Sequence, residues 1–244
     1  MNSNWHVLAN WKMYFTYTQS VRWISDHIEE LEKLSNRLHL GIAPEATTLP
    51  SLHTLVQNSN IMLGGQTCSK YVKGAYTGEI SPQSLYNIGV TFCLVGHSER
   101  RAYHNETSED VAEKVYQLLE HTVTPVICVG EREQEHNNNE TKRVIQEQLY
   151  PVKNTVSQGH IYIAYEPRWA IGSGETPSNE AIAQAIDSIR EYLHDTNLSL
   201  TVLYGGSVNE TSLPQLKNIS SLDGFLIGSA SCDFQELKKI IYSL

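Results

Sequence analysis

A short apolar strand over 161–165 ends in a carboxylate, Glu166, and Pro167 follows it directly. Proline has no N–H to extend a ladder and keeps the residue before it extended, so Glu166 sits at a fixed strand end. Trp169 comes next, then Gly172 and Gly174 on either side of Ser173. That span can bend or bring its backbone N–H groups up to a ligand. Thr176-Pro177 reads as a cap followed by proline at the first helical position, so a helix is expected from there. A carboxylate beside a glycine-rich segment that can shut over it suits a general base sheltered from water. The plainer alternative is an ordinary strand-to-helix connection with a solvated glutamate.

Other residues could work with such a base. Asn10-Trp11-Lys12 ends an apolar strand over 6–9 and offers a cation. Gly96-His97-Ser98-Glu99-Arg100-Arg101 ends another, and an imidazole in that setting can transfer a proton or polarise a carbonyl. Two strands end in small residues, Gly205-Gly206-Ser207 and Gly228-Ser229-Ala230, where backbone N–H groups can ring a phosphate. Solvated lysine and structural histidine are the bland readings of Lys12 and His97. Taken together the groups describe a phosphate anchor, a cation, an imidazole and a carboxylate base.

The elements that position them alternate from end to end. Apolar runs over 6–9, 38–43, 61–65, 91–95, 123–129, 161–165, 200–204 and 224–227 read as strands. Helical periodicity falls at 20–34, 51–57, 82–87, 111–121, 140–156, 178–194, 213–218 and 234–242. Ser81-Pro82 opens one helix, and Ser108 precedes the acidic first turn of another. The stretch 131–139, with its asparagines, reads as a polar surface loop. Eight such units without a linker imply a parallel sheet closed into a (β/α)8 barrel, one domain over 1–244. A doubly wound open sheet is the competitor, but no dinucleotide glycine fingerprint follows the first strand. In a closed barrel the working residues lie just past the C-terminal strand ends.

Bulk properties narrow the partners. Eighteen basic against twenty-seven acidic residues give a net charge of −9, which argues against nucleic acid and anionic membrane. Any positive field for an anionic substrate must be local. Cys68, Cys93, Cys128 and Cys232 have no zinc-like or CxxC spacing, and buried reduced thiols in a cytoplasmic protein are expected. No signal-peptide pattern and no bilayer-length apolar run are seen.

Over essentially the whole chain these residues resemble the triosephosphate isomerase family. The resemblance rests on Asn10-Trp11-Lys12, the stretch from Gly74 through Tyr76, Thr77 and Gly78 to Glu79, the Gly96–Arg101 run, Cys128-Val129-Gly130-Glu131, Ala164-Tyr165-Glu166-Pro167, Trp169-Ala170-Ile171-Gly172 and Tyr204-Gly205-Gly206-Ser207. It implies a TIM barrel that interconverts dihydroxyacetone phosphate and glyceraldehyde 3-phosphate without metal or cofactor. By resemblance Glu166 is the base, His97 a neutral electrophile, Lys12 an electrostatic stabiliser and Asn10 a hydrogen-bond donor to the reacting oxygens. Glu99 pairs with Lys12 or with a substrate hydroxyl. Gly172, Ser207, Gly228 and Ser229 present N–H groups to phosphate. The segment 167–177, with Pro167, Trp169, Gly172, Gly174 and Thr176, is a lid that works with Tyr204. Thr77 and Gly78 belong to a loop that enters a second copy of the chain, so a homodimer is implied.

The chain departs from the family pattern at Ser229 (usually glycine), Thr67 (usually asparagine), Arg168, Glu175 and Pro177. Pro177 cannot donate the N–H that meets the Tyr204 hydroxyl in the family. Ser229 is strained if its position needs φ > 0. Ser229 and Thr67 keep open a four-carbon sugar phosphate as substrate, and a catalytically idle barrel kept for binding is the alternative of another class.

Overall fold

The structure is a computed structural model that describes residues 5–170 and 177–244. Its strands are β1 (His6–Asn10), β2 (His39–Ala43), β3 (Met62–Gly65), β4 (Phe92–Val95), β5 (Thr124–Val129), β6 (Gln158–Tyr165), β7 (Asn197–Tyr204) and β8 (Gly224–Ile227). They pair in parallel in chain order, and β8 closes on β1 with Ala9 opposite Ile227. The helices are α1 (Tyr17–Ser35), α2 (Leu49–Val56), α3 (Pro82–Asn87), α4 (Ser98–Tyr103), α5 (Ser108–Glu120), α6 (Glu133–Asn137), α7 (Thr141–Thr155), α8 (Asn179–Leu193), α9 (Leu213–Leu216) and α10 (Phe234–Tyr242). The expected (β/α)8 barrel is the observed fold. Among the described residues no helix is long and apolar enough to cross a membrane.

Strand periodicity explains both layers. Leu8, Phe92, Leu94, Val126, Cys128, Tyr162, Ala164, Leu203 and Leu226 fill the barrel interior. The alternate residues Val7, Ala9, Cys93, Val95, Ile127, Ile163 and Val202 face the helices. Each fully buried Leu or Ile contributes roughly 1.5–3 kcal/mol. Phe92 reaches across the interior to β3, where a Cβ on Gly64 would overlap its ring. The same alternation carries Asn10 and Glu166 onto the interior face at the C-terminal rim, two residues beyond Leu8 and Ala164.

Several elements differ from the sequence expectation. α4 and α6 contain no buried residue, so no apolar periodicity announces them, and α6 lies inside the stretch expected to be loop. β6 and β7 begin earlier than their apolar runs, because Gln158 to His160 and Asn197 to Ser199 pair with one another despite their polarity. The cap of α8 is Ser178, which accepts from the Ala181 N–H at 3.2 Å, so the helix starts two residues after the Thr176-Pro177 pair. α5 is capped by Thr107 in a reciprocal box with Asp110, and Ser108 is its first helical residue. Ser81 caps α3 as expected.

At the N-terminal floor, His6 stacks on His39 at 4.2 Å and its Nδ1 lies 3.1 Å from the Tyr162 hydroxyl. His160 bonds Thr201 at 2.9 Å beside the same tyrosine. Burial, with the neighbouring His39, pushes the His6 imidazole down to about 4, while Asp223 opposes that. Between that value and the ordinary 6.5 the unfolded chain binds the extra proton, so folding stability falls as pH drops through this window. Allowing for partial exposure, His6→Asn is expected to remove about 1–2 kcal/mol of that loss, read from urea unfolding at pH 7 and pH 4.5.

Above the rim, a buried charge cluster fixes the turn between β4 and α4. Glu106 accepts from the Gly96 N–H at 2.7 Å, from Arg100 Nε at 2.5 Å and from Lys114 Nζ at 3.1 Å. Its burial opposes ionisation, but Lys114, the Gly96 N–H and Arg100 outweigh that and hold the carboxyl below its ordinary range. Glu106→Gln leaves the Lys114 ammonium buried without its counter-charge and is expected to cost about 3 kcal/mol. The check is a lower denaturant midpoint at unchanged m, with partial recovery in Glu106→Gln/Lys114→Met.

Candidate active site

The rim residues converge on one cavity of about 260 Å³. Asn10, Lys12, His97, Glu166, Ser207, Gly228 and Ser229 all line it. β1 delivers Asn10 and Lys12. Lys12 takes φ +48°, a left-handed conformation that costs a side-chain-bearing residue roughly 1–3 kcal/mol. Two contacts over-determine it: the Lys12 N–H donates to Asn10 Oδ1 at 3.0 Å, and Gln66 Nε2 donates to the Lys12 carbonyl at 2.7 Å. The ammonium then meets Glu99 Oε1 at 2.7 Å.

His97 sits at the cap of α4, and its ring orientation settles the tautomer. Nδ1 accepts from the Glu99 N–H at 3.3 Å, so the ring proton is on Nε2. Nε2 lies 3.2 Å from Glu166 Oε1. The other Glu166 oxygen accepts from the Ser98 N–H at 3.1 Å. Glu166 is 2 % exposed. Its peptide lies against Gly130, where any Cβ would collide with the Glu166 carbonyl, so this approach of β5 to β6 needs glycine. Burial, then the Glu166 carboxylate, pushes the Cys128 thiol well up, which keeps it protonated beside the base.

Two supports went unassigned in the sequence. The partly buried Arg101 donates to the Gly96 carbonyl at 2.8 Å and to the Cys128 carbonyl at 3.4 Å, tying the histidine turn to β5. Glu131, fully buried, accepts from the Tyr165 hydroxyl at 3.1 Å and the Trp169 indole at 2.9 Å. Arg101 and Glu131 lie in the recognised motifs, yet sequence gives no signal of what either touches. Gln66 stands at a strand end with nothing local to mark its reach to Lys12.

Of the lid residues, Pro167 is buried and its carbonyl accepts from the Ala170 N–H at 2.9 Å. Ser207 Oγ reaches the Ala170 carbonyl at 3.5 Å. Gly172, Gly174 and Thr176 lie outside the described residues. Tyr204 is fully buried, its hydroxyl has no hydrogen-bond partner among the described residues, and Pro177 is buried. Thr77 and Gly78 lie on an exposed loop away from this cavity. Ser229 opens a 3-10 turn, Ser229–Cys232, without positive φ, so serine is unstrained there. Thr67 accepts from Lys114 at 3.4 Å and does not line the cavity. Neither departure favours a longer substrate. The described residues hold no cluster of His, Cys, Asp and Glu suited to a metal.

Comparison with known proteins agrees with this geometry. A family model described as triosephosphate isomerase matches residues 5–244. The triosephosphate isomerase of Mesomycoplasma hyorhinis is 37% identical over 242 residues, covering 96% of each chain. That of Wolbachia pipientis wMel is 40% identical over 96% of this chain and 92% of its own. That of Thermoanaerobacter pseudethanolicus is 35% identical over 96% and 97%. With the barrel, the convergent rim residues and these matches together, the chain belongs to the triosephosphate isomerase family.

Proposed function

We propose a residue-level account of the reaction that this membership brings, the interconversion of dihydroxyacetone phosphate and D-glyceraldehyde 3-phosphate through an enediolate. Glu166 takes a proton from the carbon beside the carbonyl, and the electron pair of that C–H bond becomes the new C=C bond. The carbonyl oxygen gains the negative charge. His97 Nε2–H donates to that oxygen, the Lys12 ammonium stabilises its charge, and the Asn10 amide donates beside it. A proton passes from the hydroxyl oxygen of the first carbon to the former carbonyl oxygen by way of His97; Glu166 then returns its proton to the former carbonyl carbon, the C=C pair forming that C–H bond while the oxygen of the first carbon becomes the new carbonyl. Since Glu166 accepts from the Ser98 N–H and lies 3.2 Å from His97 Nε2, it must leave these neighbours to reach substrate. Gly228, Ser229, Ser207 and Gly172 hold the phosphate through backbone N–H groups, and no step needs a metal or cofactor. The single observation that carries this reading is the meeting of His97, whose Nδ1 accepts from the Glu99 N–H, and the buried Glu166, 3.2 Å from its Nε2, in one cavity with Lys12 and Asn10.

Glu166→Asp draws the carboxylate back by one methylene. The expected outcome is a kcat lower by about two orders of magnitude with a much smaller change in KM, measured by coupled turnover of glyceraldehyde 3-phosphate. A wild-type rate would remove Glu166 from the role. In heavy water the product is expected to carry deuterium at the exchanged carbon.

We read residues 1–244 as one barrel domain that works as a cytoplasmic homodimer. Support for the dimer comes from apolar side chains left open on one chain: Met13 is 87% exposed, Tyr14 56% and Tyr76 43%. Tyr71 and Tyr76 stack at 3.9 Å in the loop that presents Thr77 and Gly78, which on this reading reach the partner's site. Tyr76→Glu is expected to raise the dimer dissociation constant at least tenfold, since it buries a charge in the interface. Sedimentation velocity at micromolar chain would then reveal monomer, and specific activity would fall on dilution.

A further inference from the structure

The residues just beyond Glu166 rest on an imidazole that the reaction does not use. His136, at the end of α6, stacks on the Trp169 indole with ring centroids 4.0 Å apart and 23° between planes. Its Nδ1 is 3.6 Å from Glu131 Oε1, the same oxygen that receives the Trp169 N–H. Glu131 is a wholly buried carboxylate whose hydrogen bonds come from neutral donors, the Tyr165 phenol and the Trp169 indole. Its main-chain carbonyl also receives the Arg168 N–H at 3.1 Å. Among the described residues, no lysine or arginine nitrogen lies within ion-pairing distance of Glu131, and His136 is the one group there that can become a cation. A buried carboxylate gains from a nearby positive charge, and a cation over an indole face is attracted by the ring.

We propose that His136 is a positioning residue for Glu166: as an imidazolium it pins Trp169 against Glu131 and fixes the turn 167–170, and as a neutral ring it keeps the stacking contact alone. Other charges face the imidazole. These are Asp187 and the Lys142–Glu191 pair, which line the same groove. The sign follows from the contact. The imidazolium is the form that pairs with the Glu131 carboxylate, so pinning accompanies the charged ring and is lost with its proton, within the range where imidazoles generally titrate, roughly pH 5–8. The peptide of Glu166 leads straight into this turn. A fixed turn therefore restrains the carboxylate in its contacts with His97 and Ser98 and slows its passage to substrate.

The kinetic half of the test rests on the isomerase reading, and the spectroscopic half does not. A stacked imidazolium quenches indole emission, so Trp fluorescence of the purified enzyme is titrated from pH 5 to 8.5, with Trp169→Phe as the blank for the other tryptophans. Emission is expected to fall on acidification in the wild type and to stay flat in His136→Gln. The wild-type to His136→Gln ratio of kcat is expected to drop roughly threefold between pH 8 and pH 5.5, the size of a partly exposed ion-pair effect. His136→Arg, charged throughout, is expected to hold kcat near the low value of the acid wild type relative to His136→Gln at every pH. Superimposable emission titrations and a pH-independent kcat ratio for wild type and His136→Gln would overturn the proposal. Absence of turnover in all three proteins would instead defeat the isomerase reading, leaving the emission titration to judge His136.

Discussion

The site depends on one carboxylate kept almost dry. Glu166 is 2 % exposed, and a charge withdrawn from water is tolerable only where donors replace the lost hydration. The Ser98 N–H does so here at 3.1 Å, and His97 Nε2 lies 3.2 Å from the other carboxylate oxygen. Both come from the β4–α4 turn, while the carboxylate comes from β6. The distance between two non-adjacent strand ends is therefore the quantity that the fold has to hold constant. A closed sheet holds it. With β8 bonded to β1, no strand can splay without breaking two ladders.

Closure alone leaves the turns free, and a second set of buried polar groups fixes them. Glu106 grips the Gly96 N–H while Arg101 grips the Gly96 carbonyl, so both sides of one residue are tied before His97 begins. Gln66 does the same for Lys12, whose left-handed backbone would otherwise relax. None of these groups lines the cavity, and their chemistry is that of scaffolding. The price of burying them is met by pairing. Glu106 has three donors, and its two cationic partners are otherwise partly desolvated themselves.

How much of this was legible in the sequence follows from what each feature is made of. The barrel was legible because its strands and larger helices are apolar runs of the right period. Glu166, His97, Lys12 and the small-residue loops were legible because a polar residue just past an apolar strand is conspicuous. α4 and α6 were not, since neither buries a residue and their polarity matches that of loops. The start of α8 was misplaced because two hydroxyl residues, Thr176 and Ser178, both sit where a cap is plausible, and only the Ala181 bond decides between them. The roles of Gln66 and Glu131 are long-range contacts, across fifty-four residues for Gln66 to Lys12 and thirty-eight for Trp169 to Glu131, and no local pattern encodes them.

Charge accounting explains why an acidic chain can accept an anionic substrate. The net charge of −9 repels a phosphate at long range, yet salt at physiological strength screens that field within about 8 Å. Inside the cavity the described lining residues offer one cation, Lys12, and it is already paired with Glu99 at 2.7 Å. A second lysine or arginine at the phosphate would bind the anion more strongly, but it would also pair with Glu166 and hold the base away from carbon. Backbone N–H groups avoid that conflict, because they present partial positive charge in a fixed direction and have no side chain to swing toward the carboxylate. On the proposed assignment of roles, the small residues at the ends of β7 and β8 let backbone N–H groups meet the phosphate without adding a cation that would compete for Glu166.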